Sequence, residues 1–73
     1  MKEFLLTLLA DGPTYVYEAS RQYAAFRDKA FQPMETREPL MRLERQGVVK
    51  SYYESEKSAA SHQGPRRKMY KLV

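Results

Sequence analysis

Apolar residues recur at helical spacing in three stretches of this 73-residue chain, and each stretch predicts a helix. The first helix is expected over residues 2–10, where four apolar side chains fall on one face. These side chains are Phe4, Leu5, Leu8 and Leu9. The segment 11–13, Asp-Gly-Pro, combines a helix stop with a turn, so the first helix is expected to end just before it.

A second helix is predicted from about Tyr15 to about Lys29, with Thr14 as its capping residue. An apolar stripe runs along this segment at alternating intervals of three and four residues, which is the pattern of a helix with one buried face. The stripe consists of Val16, Ala19, Tyr23, Phe26 and Ala30. Because proline disfavours a helical residue before it, Pro33 is expected to separate this helix from the next.

A third and shorter helix is predicted to begin near Glu35 or Thr36. Leu40 and Leu43 lie three positions apart, so both can face the core. Gly47 follows as a residue that tolerates the left-handed backbone of a helix cap. The third helix is therefore expected to span about three turns.

After the third helix the apolar period changes to two, and β-branched and aromatic residues become frequent. Val49, Ser51 and Tyr53 would share one face of a strand. A second strand is predicted from Arg67 to Val73, with residues 56–65 as a long polar hairpin loop. This order of elements predicts an α+β fold, a winged helix-turn-helix with three helices followed by a two-stranded β-hairpin wing, as a single domain over residues 1–73.

Length and composition exclude several classes of protein. A chain of 73 residues is short for more than one domain, and no apolar run approaches the roughly 20 residues of a membrane span. The chain has no cysteine, which excludes disulfides and thiolate metal sites. We expect a cytoplasmic protein without a cofactor, a membrane contact or a small-molecule effector.

The net charge of +4 arises entirely in the second part of the chain. Residues 1–31 carry four basic and four acidic side chains, whereas residues 32–73 carry nine basic and five acidic ones. A cationic surface of this kind speeds association with polyanions and favours phosphate contacts. Double-stranded DNA is therefore the leading candidate partner, and a merely solvated basic surface is the alternative.

The outer face of the third helix carries the candidate base-contacting residues. If Leu40 and Leu43 point inward, helical geometry places two arginines on the opposite face. Arginine can donate two hydrogen bonds to guanine, and the start of a recognition helix is where base contacts concentrate. A solvated face stabilised by a Glu38–Arg42 ion pair is the alternative. The candidate DNA contacts here are Thr36, Arg37, Glu38, Met41, Arg42 and Arg45.

A compact basic run at the start of the second strand, together with the hairpin loop, forms a second group of candidate DNA contacts. Such residues on a wing would meet phosphates or a minor groove. The alternative is a basic strand end that serves only solubility. The residues of this group are Lys57, His62, Arg66, Arg67 and Lys68.

No pattern in the sequence is typical of an enzyme or a metal site. His62 is the only histidine and has no carboxylate at ligand spacing, so we interpret it as a loop residue. Glu54 and Glu56 share one face of a strand, but such pairs are far more often solvated than catalytic. We therefore expect no catalytic activity.

The six tyrosines raise the alternative of a stacking platform for single-stranded nucleic acid. Tyr23, Tyr53 and Tyr70 occupy predicted core positions, which favours a structural role for them. Only Tyr15 and Tyr52 are expected to be partly exposed. The tyrosines therefore favour duplex binding over single-strand binding.

Four segments, in their order and spacing, resemble the PadR-like transcriptional regulators. They are LLTLLADGP (5–13), YE (17–18), LMRLERQGVV (40–49) and GPRRKMYKL (64–72). The resemblance implies a winged-helix repressor fold, sequence-specific operator binding through the third helix and the wing, and usually a dimer. It ends at Val73, before the C-terminal helices with which such regulators usually dimerise, so we expect a minimal form without them.

The first helix offers an alternative dimer interface. Four leucines and a phenylalanine in residues 4–9 exceed what one inward stripe of a nine-residue helix can use, so Phe4 and Leu8 are expected to contact a second copy. The sequence as a whole predicts a DNA-binding transcriptional regulator, with repression as the expected activity. A winged-helix module for protein–protein interaction is the alternative function.

Overall fold

A computed structural model describes all 73 residues of the chain, Met1–Val73. Its elements are α1 (Lys2–Ala10), α2 (Val16–Arg27), α3 (Arg37–Arg45), β1 (Val49–Tyr53), α4 (Glu56–Ser61) and β2 (Lys68–Leu72). The two strands pair antiparallel, in a register that sets Val49 against Leu72 and Tyr53 against Lys68. Helices followed by a two-stranded hairpin confirm the predicted α+β winged-helix fold.

The core lies between α1, α2, α3 and one face of the hairpin. Leu5 and Leu40 are fully buried at its centre, and the ring of Tyr70 closes it from β2. The predicted inward orientation of Leu40 and Leu43 on α3 is confirmed. Gly47 has a φ of +77°, the left-handed conformation expected after the end of α3, where glycine carries no steric cost.

The predicted capping role of Thr14 is wrong. The residue that precedes α2 is Tyr15, and its side chain makes no capping hydrogen bond. Thr14 instead forms a β-bridge with Tyr70. The Thr14 N–H donates to the Tyr70 carbonyl over 3.0 Å, and the Tyr70 N–H donates to the Thr14 carbonyl over 2.7 Å. The segment before α2 therefore extends the sheet beyond β2 and holds α2 against the hairpin.

The predicted core stripe of α2 is only partly correct. Ala19 is buried and Tyr23 is half-buried, but the side chain of Phe26 is 66% exposed. The buried face follows Ala19, Ser20 and Ala24, whose small side chains allow a close approach to the neighbouring elements. An apolar stripe identified by residue type alone therefore overlooked the buried serine.

Tyr53 was predicted to face the core, and this prediction is wrong, because its side chain is 61% exposed. It shares a strand face with buried Val49 and half-buried Ser51, but it is the last residue of β1. Tyr15 is half-buried and Tyr52 is 40% exposed, as predicted, whereas exposed Tyr17 was not predicted.

Residues 56–65 were predicted to be a loop, but Glu56–Ser61 form the short helix α4. The Ser55 hydroxyl caps this helix by accepting a hydrogen bond from the backbone N–H of Ser58, over 3.1 Å. Ala59 is buried and anchors α4 to the rest of the hairpin. We call β1, α4, β2 and their connections the wing.

Candidate nucleic-acid interface

The outer face of α3 carries charged side chains because the two leucines of the helix are directed inward. Glu38, Arg42 and Arg45 are exposed and Met41 is half-buried, while Arg37 is exposed at the first position of the helix. Neither Arg37 nor Arg42 lies within 4 Å of a carboxylate. These two guanidinium groups therefore have their charge available to an external acceptor.

The Glu38–Arg42 ion pair of the alternative interpretation is not formed. Glu38 accepts a hydrogen bond of 2.8 Å from the guanidinium of Arg45, two turns further along the same face. That hydrogen bond and the charge of Arg45 hold the pKa of Glu38 below its ordinary value. Because both side chains are more than half exposed, the pair stabilises the fold little and can open when a base is offered to Arg45.

Thr36 was predicted to contact DNA, but the structure contradicts this, because the residue has no exposed surface. Its hydroxyl donates to the carbonyl of Val16 over 3.0 Å and lies 2.8 Å from the hydroxyl of Ser20, which also accepts the Thr36 backbone N–H over 3.0 Å. Thr36 therefore ties the start of α3 to α2. These hydrogen bonds hold the two helices of the helix-turn-helix together.

Ser20→Ala is expected to destabilise the domain by about 1–3 kcal/mol, since it leaves the buried N–H of Thr36 without an acceptor. Urea unfolding followed by circular dichroism measures this loss as a lower midpoint with an unchanged slope. Ser61→Ala is the matched control, because Ser61 is exposed and its hydroxyl bonds only within α4. Equal urea midpoints for the two variants would contradict a stabilising role for the hydrogen bond between Thr36 and Ser20.

The basic residues of the wing lie in different surroundings. Lys57, Arg66 and Lys68 are exposed, and none of them lies within 4 Å of a carboxylate. Arg67 is half-buried, and its guanidinium stacks on the ring of Tyr15, 4.4 Å from the ring centroid. Lys57, Arg66 and Lys68 therefore have no acidic partner, and Arg67 is held against an aromatic ring.

His62 and Glu54 are not the solvated residues that the sequence predicted. His62 is half-buried and its Nε2 bonds the carboxylate of Glu54, which is itself buried. Glu54 and Glu56 do not pair on one face, because β1 ends before them and Glu56 begins α4. His62 is therefore occupied within the wing rather than available at its tip, and it leaves the set of candidate DNA contacts.

Lys50 and Lys71, which were not among the predicted DNA contacts, face each other across the hairpin. Like charges in directly opposed positions are destabilising. The Lys71 ammonium lies 5.7 Å from the ring centroid of Tyr52, an arrangement that offsets part of this cost. The period-two pattern of the sequence could have placed Lys50 on the outer face of β1. That Lys71 lies opposite it depends on the strand register, which the pattern does not give.

Between α1 and α2 lies a groove of about 530 Å³, and half of its lining residues are apolar. Phe4 and Leu8 line it but are only half-buried, and the ring centroid of Phe4 lies 5.2 Å from that of Tyr23 and 5.1 Å from that of Phe26. Within the chain, these aromatic contacts absorb part of the apolar surface that was predicted to be free.

No cluster of three or more histidine, cysteine, aspartate or glutamate side chains is arranged to bind a metal ion. None of the helices has the length and apolar character that crossing a membrane requires. The exposed guanidinium and ammonium groups of α3 and the wing can donate hydrogen bonds to phosphates and base edges.

Comparison with known proteins shows similarity to solved structures. Models of protein families give no match to this chain, and neither do curated proteins. Among solved structures, a transcriptional regulator from Clostridium thermocellum is 31% identical, with a TM-score of 0.72. The similarity covers 100% of this chain and 67% of the regulator. It therefore includes all four helices and both strands described above.

Proposed function

This chain belongs to the family of that transcriptional regulator, and we propose that it regulates transcription by binding duplex DNA through α3 and the wing. The observation that carries the proposal is the distribution of unpaired cations. The four ion pairs of the structure involve Arg21, Lys29, Arg45 and His62. Of the nine lysines and arginines in residues 32–73, only Arg45 therefore has an acidic partner.

In the proposed complex, α3 enters the major groove and contacts base edges. Arg42 and Arg45 can each donate two hydrogen bonds to a guanine, and Glu38 can accept one from a cytosine amino group. Arg37 and Met41 flank these contacts on the same helix. Thr36 acts indirectly in this proposal, by holding α3 against α2.

The wing would follow the phosphate backbone beside the groove. Lys57, Arg66 and Lys68 supply exposed charge, while Arg67 supplies charge held against Tyr15. Phosphate contacts position a protein on the duplex without specifying sequence. Specificity would then come from α3, and much of the affinity from the wing.

We further propose that the chain is a PadR-like repressor, which acts by occupying an operator. The support is the order and spacing of the four segments named above, of which 40–49 forms most of α3 and its exit and 64–72 forms β2 and its approach. The structural similarity to a transcriptional regulator agrees with this assignment at the level of the fold.

Selection of bound sequences from random duplexes tests the proposed function directly. A regulator should enrich one motif, and its affinity for that motif should fall steeply as salt rises, because each neutralised phosphate releases counterions. Retention that is weak and independent of salt would contradict DNA binding. It would favour the other candidate, a winged-helix module for protein–protein interaction.

A homodimer is proposed through the groove between α1 and α2. The apolar residues of this groove are surrounded by three charged ones, Glu3, Asp11 and Arg27. Two copies related by a twofold axis could therefore pair opposite charges around apolar contacts. Such a dimer could place two copies of α3 one helical turn apart, about 34 Å, on one face of the duplex.

Phe26→Glu is expected to convert this dimer to a monomer at micromolar concentration, since it places a charge among the apolar residues of the groove. Phe26 is 66% exposed, so the variant should fold. Phe4→Glu tests the same interface from α1. Sedimentation measures the mass, with Tyr17→Glu, an exposed aromatic outside the groove, as the control. A wild-type monomer with and without DNA would exclude the dimer.

A further inference from the structure

We propose that Glu54 is a positioning residue for DNA binding, because its buried carboxylate holds the wing in the shape that presents Lys57 and Arg66 to phosphates. The inference rests on the proposed function and names a residue that would act through others. The residues concerned are Glu54, Ser58, His62 and Arg67, which we call the Glu54 cluster.

The Glu54 carboxylate accepts three hydrogen bonds from three parts of the wing. The backbone N–H of Arg67 donates to it over 3.0 Å, the Ser58 hydroxyl donates over 3.1 Å, and the Nε2–H of His62 completes the set. The donors come from the approach to β2, from α4 and from the turn after α4. One side chain therefore cross-links the whole span between the two strands.

The backbone of Glu54 strengthens the same connection. Its N–H donates to the carbonyl of Arg67 over 3.0 Å, and its carbonyl accepts the Nε–H of Arg66 over 2.7 Å. Because Arg66 uses only Nε in this hydrogen bond, its two terminal nitrogens can bind a phosphate. The backbone of Glu54 thus holds the guanidinium of Arg66 beside the Glu54 cluster.

The balance of forces on Glu54 favours the charged form. Burial raises the pKa of its carboxyl, but the hydrogen bonds from His62, the Arg67 backbone and Ser58 outweigh this, so that the pKa lies below the ordinary value. A lowered pKa means that ionised Glu54 stabilises the folded wing fully above the ordinary glutamate pKa of about 4.3. This stabilisation is lost as pH falls through the lowered pKa. At neutral pH the cluster is intact.

A fixed wing matters for affinity because a mobile one would have to be ordered on the DNA. Immobilising a long side chain at an interface costs roughly 0.5–1.5 kcal/mol, and ordering a loop adds to this. The segment between β1 and β2 is small and polar and buries only Ala59 among its apolar side chains, so packing alone holds it weakly. The Glu54 cluster supplies the missing constraint before DNA arrives.

The test compares Glu54→Gln with Glu56→Gln in the full chain. Both variants remove one negative charge, and Glu56 is an exposed neighbour, so simple electrostatics predicts tighter DNA binding for both. The proposal predicts that Glu54→Gln binds more weakly, because the amide nitrogen of glutamine donates hydrogen bonds and cannot replace a carboxylate oxygen as an acceptor. For each phosphate that the wing no longer neutralises, we expect roughly a tenfold weaker affinity at 0.1 M salt and a salt slope smaller by about 0.9.

A second pair of variants decides the matter if Glu54→Gln fails to fold. The side-chain amide of His62→Gln can donate to Glu54 as the ring Nε2–H does, whereas His62→Leu cannot. We expect His62→Gln to retain the salt slope and His62→Leu to show a smaller one. Equal salt slopes in these two variants would overturn the inference, as would a folded Glu54→Gln that binds as tightly as Glu56→Gln.

Hydrogen exchange separates this inference from the proposed function. Without DNA, the α4 amides of Glu54→Gln should exchange faster than those of Glu56→Gln, while the amides of α1 should not change. If the wild type fails to bind any duplex, the proposed function is wrong whatever the exchange shows. If the wild type binds DNA but α4 exchange is the same in both variants, the positioning role of Glu54 is wrong.

Discussion

Replacing Arg42 and Arg45 together by alanine is expected to abolish the preference for the operator over random duplexes, with the domain still folded. A good bidentate contact between arginine and guanine contributes roughly 1–3 kcal/mol of discrimination against the wrong base. Removing two such contacts lowers this discrimination by about 2–6 kcal/mol. Both side chains are exposed, and the Glu38–Arg45 pair stabilises the fold little. Competition binding with the selected operator and a scrambled duplex measures the ratio of affinities.

The matched control for this double variant is Arg21→Ala with Lys29→Ala. It removes two cations from α2 and its exit, outside the groove proposed for the dimer, where Arg21 is paired with Glu18 and Lys29 with Glu35. The control should keep the ratio of the two affinities, even if lower net charge weakens binding overall. Loss of the fold in the α3 variant, seen as a collapse of the circular dichroism signal, would show that these arginines are structural. A preserved ratio would place the base contacts elsewhere.

Replacing Arg66, Arg67 and Lys68 by glutamine is expected to weaken binding to all duplexes by a similar factor. Each phosphate that is no longer neutralised should lower the salt slope by about 0.9, so three such phosphates would lower it by roughly 2.7. The backbone N–H of Arg67 is unchanged in this variant and can still donate to Glu54. Affinity measured at several salt concentrations, for operator and scrambled duplex, separates this uniform weakening from a change in specificity.

The control for the wing variant neutralises Arg21 and Lys29, which lowers the net charge by two on another surface. Arg21 and Lys29 already have acidic partners, Glu18 and Glu35. The control should therefore keep most of the salt slope. Unchanged low-salt affinity in the wing variant would mean that its cations serve solubility alone.

The sequence by itself determined those features that depend on neighbours along the chain. The Asp-Gly-Pro turn at 11–13 and Gly47 set the ends of α1 and α3, because backbone preferences act within a few residues. The outer face of α3 followed from Leu40 and Leu43, since helical periodicity puts residues of known spacing on known sides. The change to period two predicted the hairpin for the same reason.

The interaction between Glu38 and Arg45 marks the limit of this local reasoning. Spacing favoured Arg42, one turn away, as the partner of Glu38. In the structure, Arg45, two turns away, forms the pair. Helical spacing defines which residues share a face, but the rotamers of long side chains decide which of them meet.

Only the tertiary structure decided the roles of residues whose partners are distant in the sequence. Thr36 belonged to the predicted interface, whereas in the fold Ser20, 16 residues earlier, binds it in the interior. His62 had no carboxylate at ligand spacing, yet the wing brings Glu54 against it from eight residues away. Such hydrogen bonds form when packed elements bring backbone and side-chain donors to one buried acceptor. Because burying a polar group without a hydrogen bond costs free energy, the fold favours packing in which these donors and acceptors meet. Local periodicity carries no information about these encounters, because they depend on how the elements dock.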